Sequence, residues 1–169
     1  QNPQFNLNFG YEPAADTKRT LEFLFNISKY IDESKNSSPE IKNILKNISF
    51  EKNKNDFKIE DKWIISRLNT LKKNVTNYLE QLKPNLAAKE IQDFFVNDLS
   101  RGYIQFTRSR LTGSEEDSTF QDKALVIYVL ENTMLSLLKL MAPFTPFLAE
   151  ELYQRYYKSE NTALPESIH

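Results

Sequence analysis

The chain has 169 residues, a formal net charge of −1, 40% apolar and 27% charged residues. That is the composition of one folded domain, and it excludes a largely disordered chain and a uniformly basic nucleic-acid binder. With no cysteine and a single histidine, His169, disulfides and cysteine-ligated zinc are excluded as well.

Charge is uneven along the chain: bases outnumber acids over residues 29–73, and acids outnumber bases over 114–169. Contact with a polyanion is therefore confined to local patches. We expect no membrane-spanning stretch and no secretory leader, hence a cytoplasmic protein. Beginning at Gln1 without Met and stopping on His169, the chain reads as an excised piece.

Residues 1–15 read as a loop with Phe5, Phe9 and Tyr11 set among Asn, Gly and Pro. A first helix is expected from Asp16 to Ile31, with Leu21, Leu24, Phe25 and Ile31 on one side and Phe23, Ile27 and Tyr30 widening its apolar face. Residues 32–58 turn to Asn, Lys and Ser, which predicts a mobile insertion. Within it Ser38 and Pro39 suit the start of a short helix edged by Ile41, Ile44 and Leu45. Lys42, Lys46, Lys52, Lys54 and Lys58 there are either solvated or available to phosphates.

Ile64, Leu68, Leu71, Val75, Tyr78 and Leu82 alternate steps of four and three, the spacing of a bundle seam. Pro84 is expected to end that helix, and Asn85 to cap an antiparallel successor. A helix from Phe120 to Ala142 repeats the seam with Ile127, Leu130, Met134, Leu137 and Met141. It stops at Pro143, and a last helix runs from about Pro146 to Lys158, started by Thr145 and Pro146. Residues 159–169 read as an extended tail. With no strand-period segment, the fold class is all-α, a single-domain bundle of four to five main helices.

The segment Ile91 to Leu111 carries both core and candidate surface. Read as an α-helix, it stacks Ala88, Ile91, Phe95, Leu99, Gly102 and Phe106 in one stripe. Arg101, Gln105, Arg108 and Thr112 fall on another strip, and Leu99 to Gly113 holds three arginines and no acid. Such a strip suits phosphates and unstacked bases. Arg101 and Arg108, with Gln105 between them, lead the candidates. Arg67 and Lys62 extend the patch from a neighbouring helix. Arg110 lies near the end of the apolar stripe, where pairing with an acid is the alternative. Solvated charge or an Asp98–Arg101 pair is the plain alternative for the strip, and Tyr103 is read as packed rather than stacked on a base. Glu150 and Glu151 read as helix-start charges. No catalytic constellation, glycine-rich phosphate loop or metal-ligand cluster is present.

Several blocks resemble the helical anticodon-binding domain of isoleucyl-tRNA synthetases. Asp98-Leu99-Ser100-Arg101-Gly102-Tyr103-Ile104 with Arg108-Ser109-Arg110 is similar to its D-L-S-x-W-Y-I … R-x-R signature. Asp61 to Asn69 resembles its D-x-W-I/L-L-S-R-L-N block, Met141 to Glu151 its APFTPF turn, Pro165 to His169 its E-S-V-H, and Thr20 to Asn26 a variant of its L-x-x-L-W-N helix. The blocks occur in the family's order across nearly the whole chain. Class Ia relatives for valine and leucine share the bundle and the APF turn, so the isoleucine assignment rests on Asp98 to Ile104. Arg110 to Gly113 looks more like the eukaryotic-type and archaeal forms than the common bacterial one.

The resemblance implies a tRNA-binding domain of a ligase that joins isoleucine to its tRNA using ATP and Mg. The family's HIGH and KMSKS signatures are absent, so no cofactor is expected in this piece, and its partners are tRNA and the remaining domains of the synthetase, not DNA or membrane. Gly102 stands where the family usually has Trp. A glycine in a helix costs about 1 kcal/mol against alanine, and we expect a bulky neighbour such as Phe106 or Met134, or a closer helix crossing, to fill the space. Alternatives to the tRNA reading are a helical spacer, a protein-interaction module, or the equivalent valyl or leucyl domain.

Overall fold

A computed structural model describes residues 11–113, 119–159, 161 and 163–169, without the side chains of 12–14 and 16. The described residues form seven α-helices: α1 (Tyr11–Lys35), α2 (Pro39–Leu45), α3 (Ile59–Glu80), α4 (Pro84–Asp93), α5 (Arg108–Thr112), α6 (Phe120–Met141) and α7 (Pro146–Tyr153). Two π-helical segments, Phe94–Ile104 and Gln154–Lys158, continue α4 and α7. No strand occurs among the described residues, and the all-α expectation holds.

The centre is α6, which touches α1, α2, α3, α4, α5 and α7. Its apolar residues run round the cylinder, and Ala124, Leu125, Val126, Ile127, Val129, Leu130, Met134, Leu137 and Leu138 are all buried. On length and composition α6 could cross a membrane, contrary to the sequence expectation, but here its apolar surface is covered by the other helices. Thr119 caps it, accepting from the Asp122 amide at 3.1 Å.

Three expectations about the elements and their links need correction. Tyr11 to Ala15 belong to α1 rather than to a loop; residues 1–10 lie outside the described part. The Asn- and Lys-rich stretch 32–58 is not a mobile insertion, because Ile41, Ile48 and Phe57 are buried in the common core and α2 packs on α6. Burying an Ile or Phe side chain contributes about 1.5–3 kcal/mol, so three spaced anchors hold a surface that is otherwise polar. Ser38 caps α2, its hydroxyl accepting from the Ile41 amide at 3.2 Å. The third concerns the α3–α4 link. Helix α3 ends before Pro84, where the Lys83 amide donates to the Tyr78 carbonyl at 2.8 Å and the Leu82 amide to the Leu79 carbonyl at 3.0 Å. This is a Schellman closure, and its left-handed position holds Leu82 at φ 55° instead of a glycine. Leu82 consequently points to solvent and leaves the seam, and Pro84, not Asn85, opens α4.

The tail is tied to the last helix. Tyr153 donates its hydroxyl to the Pro165 carbonyl at 2.6 Å, and Lys158 Nζ donates to the Leu164 carbonyl at 2.6 Å. Glu150 accepts from Gln154 at 2.7 Å, the Ser167 hydroxyl at 2.9 Å and the Ile168 amide at 3.0 Å. Those bonds, the Gln154 one foremost, hold its carboxyl below the usual range. Glu150 is thus an anchor for the tail and not a helix-start charge, while Glu151 turns away and pairs with Arg155.

Candidate nucleic-acid interface

The helix that carries the arginines is wound differently from the expected one. Ile91, Phe95, Leu99, Tyr103, Thr107 and Leu111 are all buried, at a constant step of four. At 3.6 residues per turn such a series would travel to the far side of an α-helix. The π-helical run Phe94–Ile104 takes more residues per turn and keeps it facing the core. As a result Phe106 turns out, 62% exposed, while Arg110, at the end of the expected stripe, is 1% exposed.

Arg110 is therefore removed from the candidate RNA contacts. Its NH1 donates to Glu60 at 2.8 Å and Asp61 at 3.0 Å, its NH2 to Asp122 at 2.6 Å and Asp61 at 3.1 Å, and its Nε to Asp122 at 3.0 Å. The guanidinium fork is filled by three carboxylates, which leaves no donor for a phosphate. Burial alone would lower its pKa, but the bonds to Asp122 and Asp61 outweigh that and raise it. Asp122 shows the mirror effect: burial opposes ionisation, yet Arg110 and Lys58 hold its carboxyl below the usual value. Asp61, fully buried, also accepts from the Tyr103 hydroxyl at 2.6 Å and the Lys58 amide at 2.9 Å. Burial first, then the Asp61 carboxylate, pushes the Tyr103 hydroxyl well above its ordinary pKa. Tyr103 is packed and unavailable to a base, as its place in the sequence implied.

This cluster joins the starts of α3 and α6 to the arginine-bearing segment. Its partners Asp61, Tyr103 and Arg110 all lie in the motif blocks quoted above, and the seven-residue spacing of Tyr103 and Arg110 was the available signal for a shared face. A second tie lies nearer the surface: Arg67 Nε and NH2 reach Asp98 Oδ2 at 3.1 and 2.9 Å. Arg67 is thus a strut between α3 and the π-helical segment, with its remaining donors at a half-exposed position, and Asp98 takes Arg67 rather than Arg101. Trp63 fills the space at Gly102. A Cβ added there would stand 2.9 Å from Trp63 Cη2, so the filler comes from α3, not from Phe106 or Met134, and Phe106 packs on the outer side of Trp63 at 6.1 Å between ring centroids.

What remains at the surface is Arg101, Gln105 and Arg108, all exposed, with Lys62 exposed on α3. The buried cluster lies behind them, so two guanidinium groups and a side-chain amide are presented to solvent from a segment tied to α3 and α6. The family described as the anticodon-binding domain of tRNA ligase matches residues 61–169. The chain belongs to this family.

Within it, this anticodon-binding domain is similar to parts of isoleucine–tRNA ligases. It is 36% identical to that of Methanothrix thermoacetophila and 36% identical to that of Pyrococcus abyssi, in each case over 99% of the chain. It is 43% identical to that of Clostridium acetobutylicum over 69% of the chain. The domain spans 15% of the length of the first two and 12% of the third. The matched stretch begins at Asp61, the buried carboxylate of the core cluster, and contains every residue that the cluster needs except Glu60 and Lys58.

Proposed function

We propose that this domain grips the anticodon arm of an isoleucine tRNA as part of an isoleucine–tRNA ligase, with Arg101, Gln105 and Arg108 meeting phosphates and base edges. The observation that carries the reading is the exposure of Arg101 in the π-helical segment and Arg108 at the start of α5, both inside the block that resembles the family's D-L-S … R-x-R signature. Arginine offers planar paired donors for phosphate and a face for stacking, and glutamine offers both a donor and an acceptor to a base edge. The names of the relatives and the resemblance of Asp98 to Ile104 support isoleucine as the amino acid. The parent reaction, attachment of isoleucine to tRNA with ATP and Mg, belongs to other parts of that enzyme. The acidic residues here do not fit a metal: Glu60, Asp61 and Asp122 are saturated by Arg110, Lys58 and Tyr103, and no other metal-holding group of acids or histidine occurs among the described residues. We assign neither ATP nor Mg to this chain.

The test is binding of the chain to an isoleucine-tRNA anticodon stem-loop at two salt concentrations, beside Arg101→Ala/Arg108→Ala. Salt-sensitive binding, lost in a variant that keeps its helical spectrum, is the expected result. Tight binding by the double variant would remove the arginine strip from the site.

A further inference from the structure

A second surface has the chemistry of a nucleotide site. On α3, Lys62, Ser66, Asn69 and Lys73 follow at steps of four, three and four and so share one exposed face. They line a groove of about 640 Å³, closed on its other side by Phe50, Lys54 and Phe57 from the α2–α3 connection. No carboxylate is among its lining residues.

Phe50 is 39% exposed. Its ring is fixed edge-on to Tyr128 at 5.0 Å and tilted against Phe57 at 5.7 Å between centroids. It is an aromatic surface already held in place at the wall of a basic groove, so stacking on it would cost little side-chain freedom. Lys62 and Lys73 are eleven positions apart, about 16 Å along the helix at 1.5 Å per residue, room for more than one nucleotide. Between them Asn69 can donate to and accept from a base edge.

We propose that this groove binds an unpaired RNA nucleotide and its flanking phosphates, with the base stacked on Phe50 and phosphates held by Lys54, Lys62 and Lys73. The proposal rests on the tRNA reading and adds a second contact to it. None of Arg101, Gln105 and Arg108 lines it, and Lys62, expected from sequence to extend the arginine strip, is assigned here to the groove, while the next residue, Trp63, lies against Gly102 and Phe106. A basic rim alone would accept any polyanion; the fixed ring and the amide favour a nucleobase over an acidic peptide.

The experiment titrates the chain with an isoleucine-tRNA anticodon stem-loop carrying 2-aminopurine in the loop, using the wild type, Lys62→Ala/Lys73→Ala, Phe50→Leu and Arg101→Ala/Arg108→Ala. The lysine variant should bind at least about 10-fold more weakly, and its logarithmic salt slope should fall by about 1.4, two single-strand phosphate contacts. Phe50→Leu, which keeps apolar bulk, should lose about 5- to 100-fold and abolish the fluorescence quench of the stacked base. If Phe50→Leu loses its helical spectrum, the exposed lysine variant alone decides. Wild-type affinity and slope in the lysine variant, with binding lost in the arginine variant, would overturn the groove and leave the tRNA reading standing. Hexaglutamate competing as well as RNA would also overturn it, and a wild-type chain that binds no stem-loop would overturn both.

Discussion

Arg110→Met tests whether the arginine-bearing helix is braced by the buried cluster. The substitution keeps bulk and removes every partner of Asp61 except the Tyr103 hydroxyl and the Lys58 amide, and Asp61 is 0% exposed. Glu60 is left facing it without the Arg110 counter-charge, and Asp122 keeps only Lys58 Nζ at 3.2 Å. Breaking a buried pair from one side costs about 3–5 kcal/mol, a large share of the roughly 5–15 kcal/mol that holds a domain together. With a urea m-value near 2 kcal/mol/M, the unfolding midpoint followed by circular dichroism should fall by about 1.5–2.5 M. Adding Asp61→Asn removes the stranded charge and should restore about 1–2 kcal/mol. A loss below about 1 kcal/mol in Arg110→Met, or no recovery in the double variant, would refute the assignment of the cluster as the brace.

Gly102→Ala would gain about 1 kcal/mol of helix propensity in open space. Here its Cβ meets Trp63 at 2.9 Å and the Asn97 carbonyl at 3.1 Å, so overpacking should prevail, with a net loss of about 1–2 kcal/mol and a shifted emission from Trp63, the single tryptophan. Leu82→Gly should do the opposite. It relieves a left-handed backbone at φ 55° on a side chain 87% exposed, worth about 0.5–1 kcal/mol after the entropy of a more flexible unfolded chain, read as a higher urea midpoint. Acid should weaken the fold: Asp122 has a folded pKa below its ordinary value, so its contribution is complete above about pH 4 and is lost as pH falls through the lowered value. Asp122→Asn should flatten that part of the stability curve. Glu150 is shifted in the same direction, so limited proteolysis of the tail should speed up as pH drops below the ordinary glutamate range, and Glu150→Gln should make cleavage fast at neutral pH.

The seams were readable wherever one period held along a whole helix. Ile64, Leu68, Leu71 and Val75 on α3 and Ile127 to Leu137 on α6 are buried as their spacing requires. Leu82 fell outside its seam because the terminal left-handed turn is a backbone event, and a leucine carries no sign of it in place of the usual glycine. The Asn- and Lys-rich stretch misled for a related reason: average polarity describes its surface, whereas three single residues, Ile41, Ile48 and Phe57, determine that it packs. The wall of the groove beside α3 comes from that stretch: Lys54 was legible there as a charge available to phosphates, whereas Phe50 was hidden by the reading of a mobile insertion.

The arginine strip separates into what a change of period alters and what it does not. Continuing the α-helical steps of three and four past Leu99 selects Gly102 and Phe106 for the core, whereas a constant step of four selects Tyr103, Thr107 and Leu111. The π-helical winding takes the second path and turns Phe106 out onto Trp63, whereas Arg110, four residues past Phe106 on the first path and beside Leu111 on the second, meets the carboxylates. Both paths leave Arg101, Gln105 and Arg108 on the outer side. Those three residues are exposed for a reason independent of the winding: everything that could bury them is on the opposite face, where Leu99, Tyr103 and Thr107 meet the core. The charge that faces inward ties this segment to α3 and α6, and the charges on the outer side are exposed to solvent.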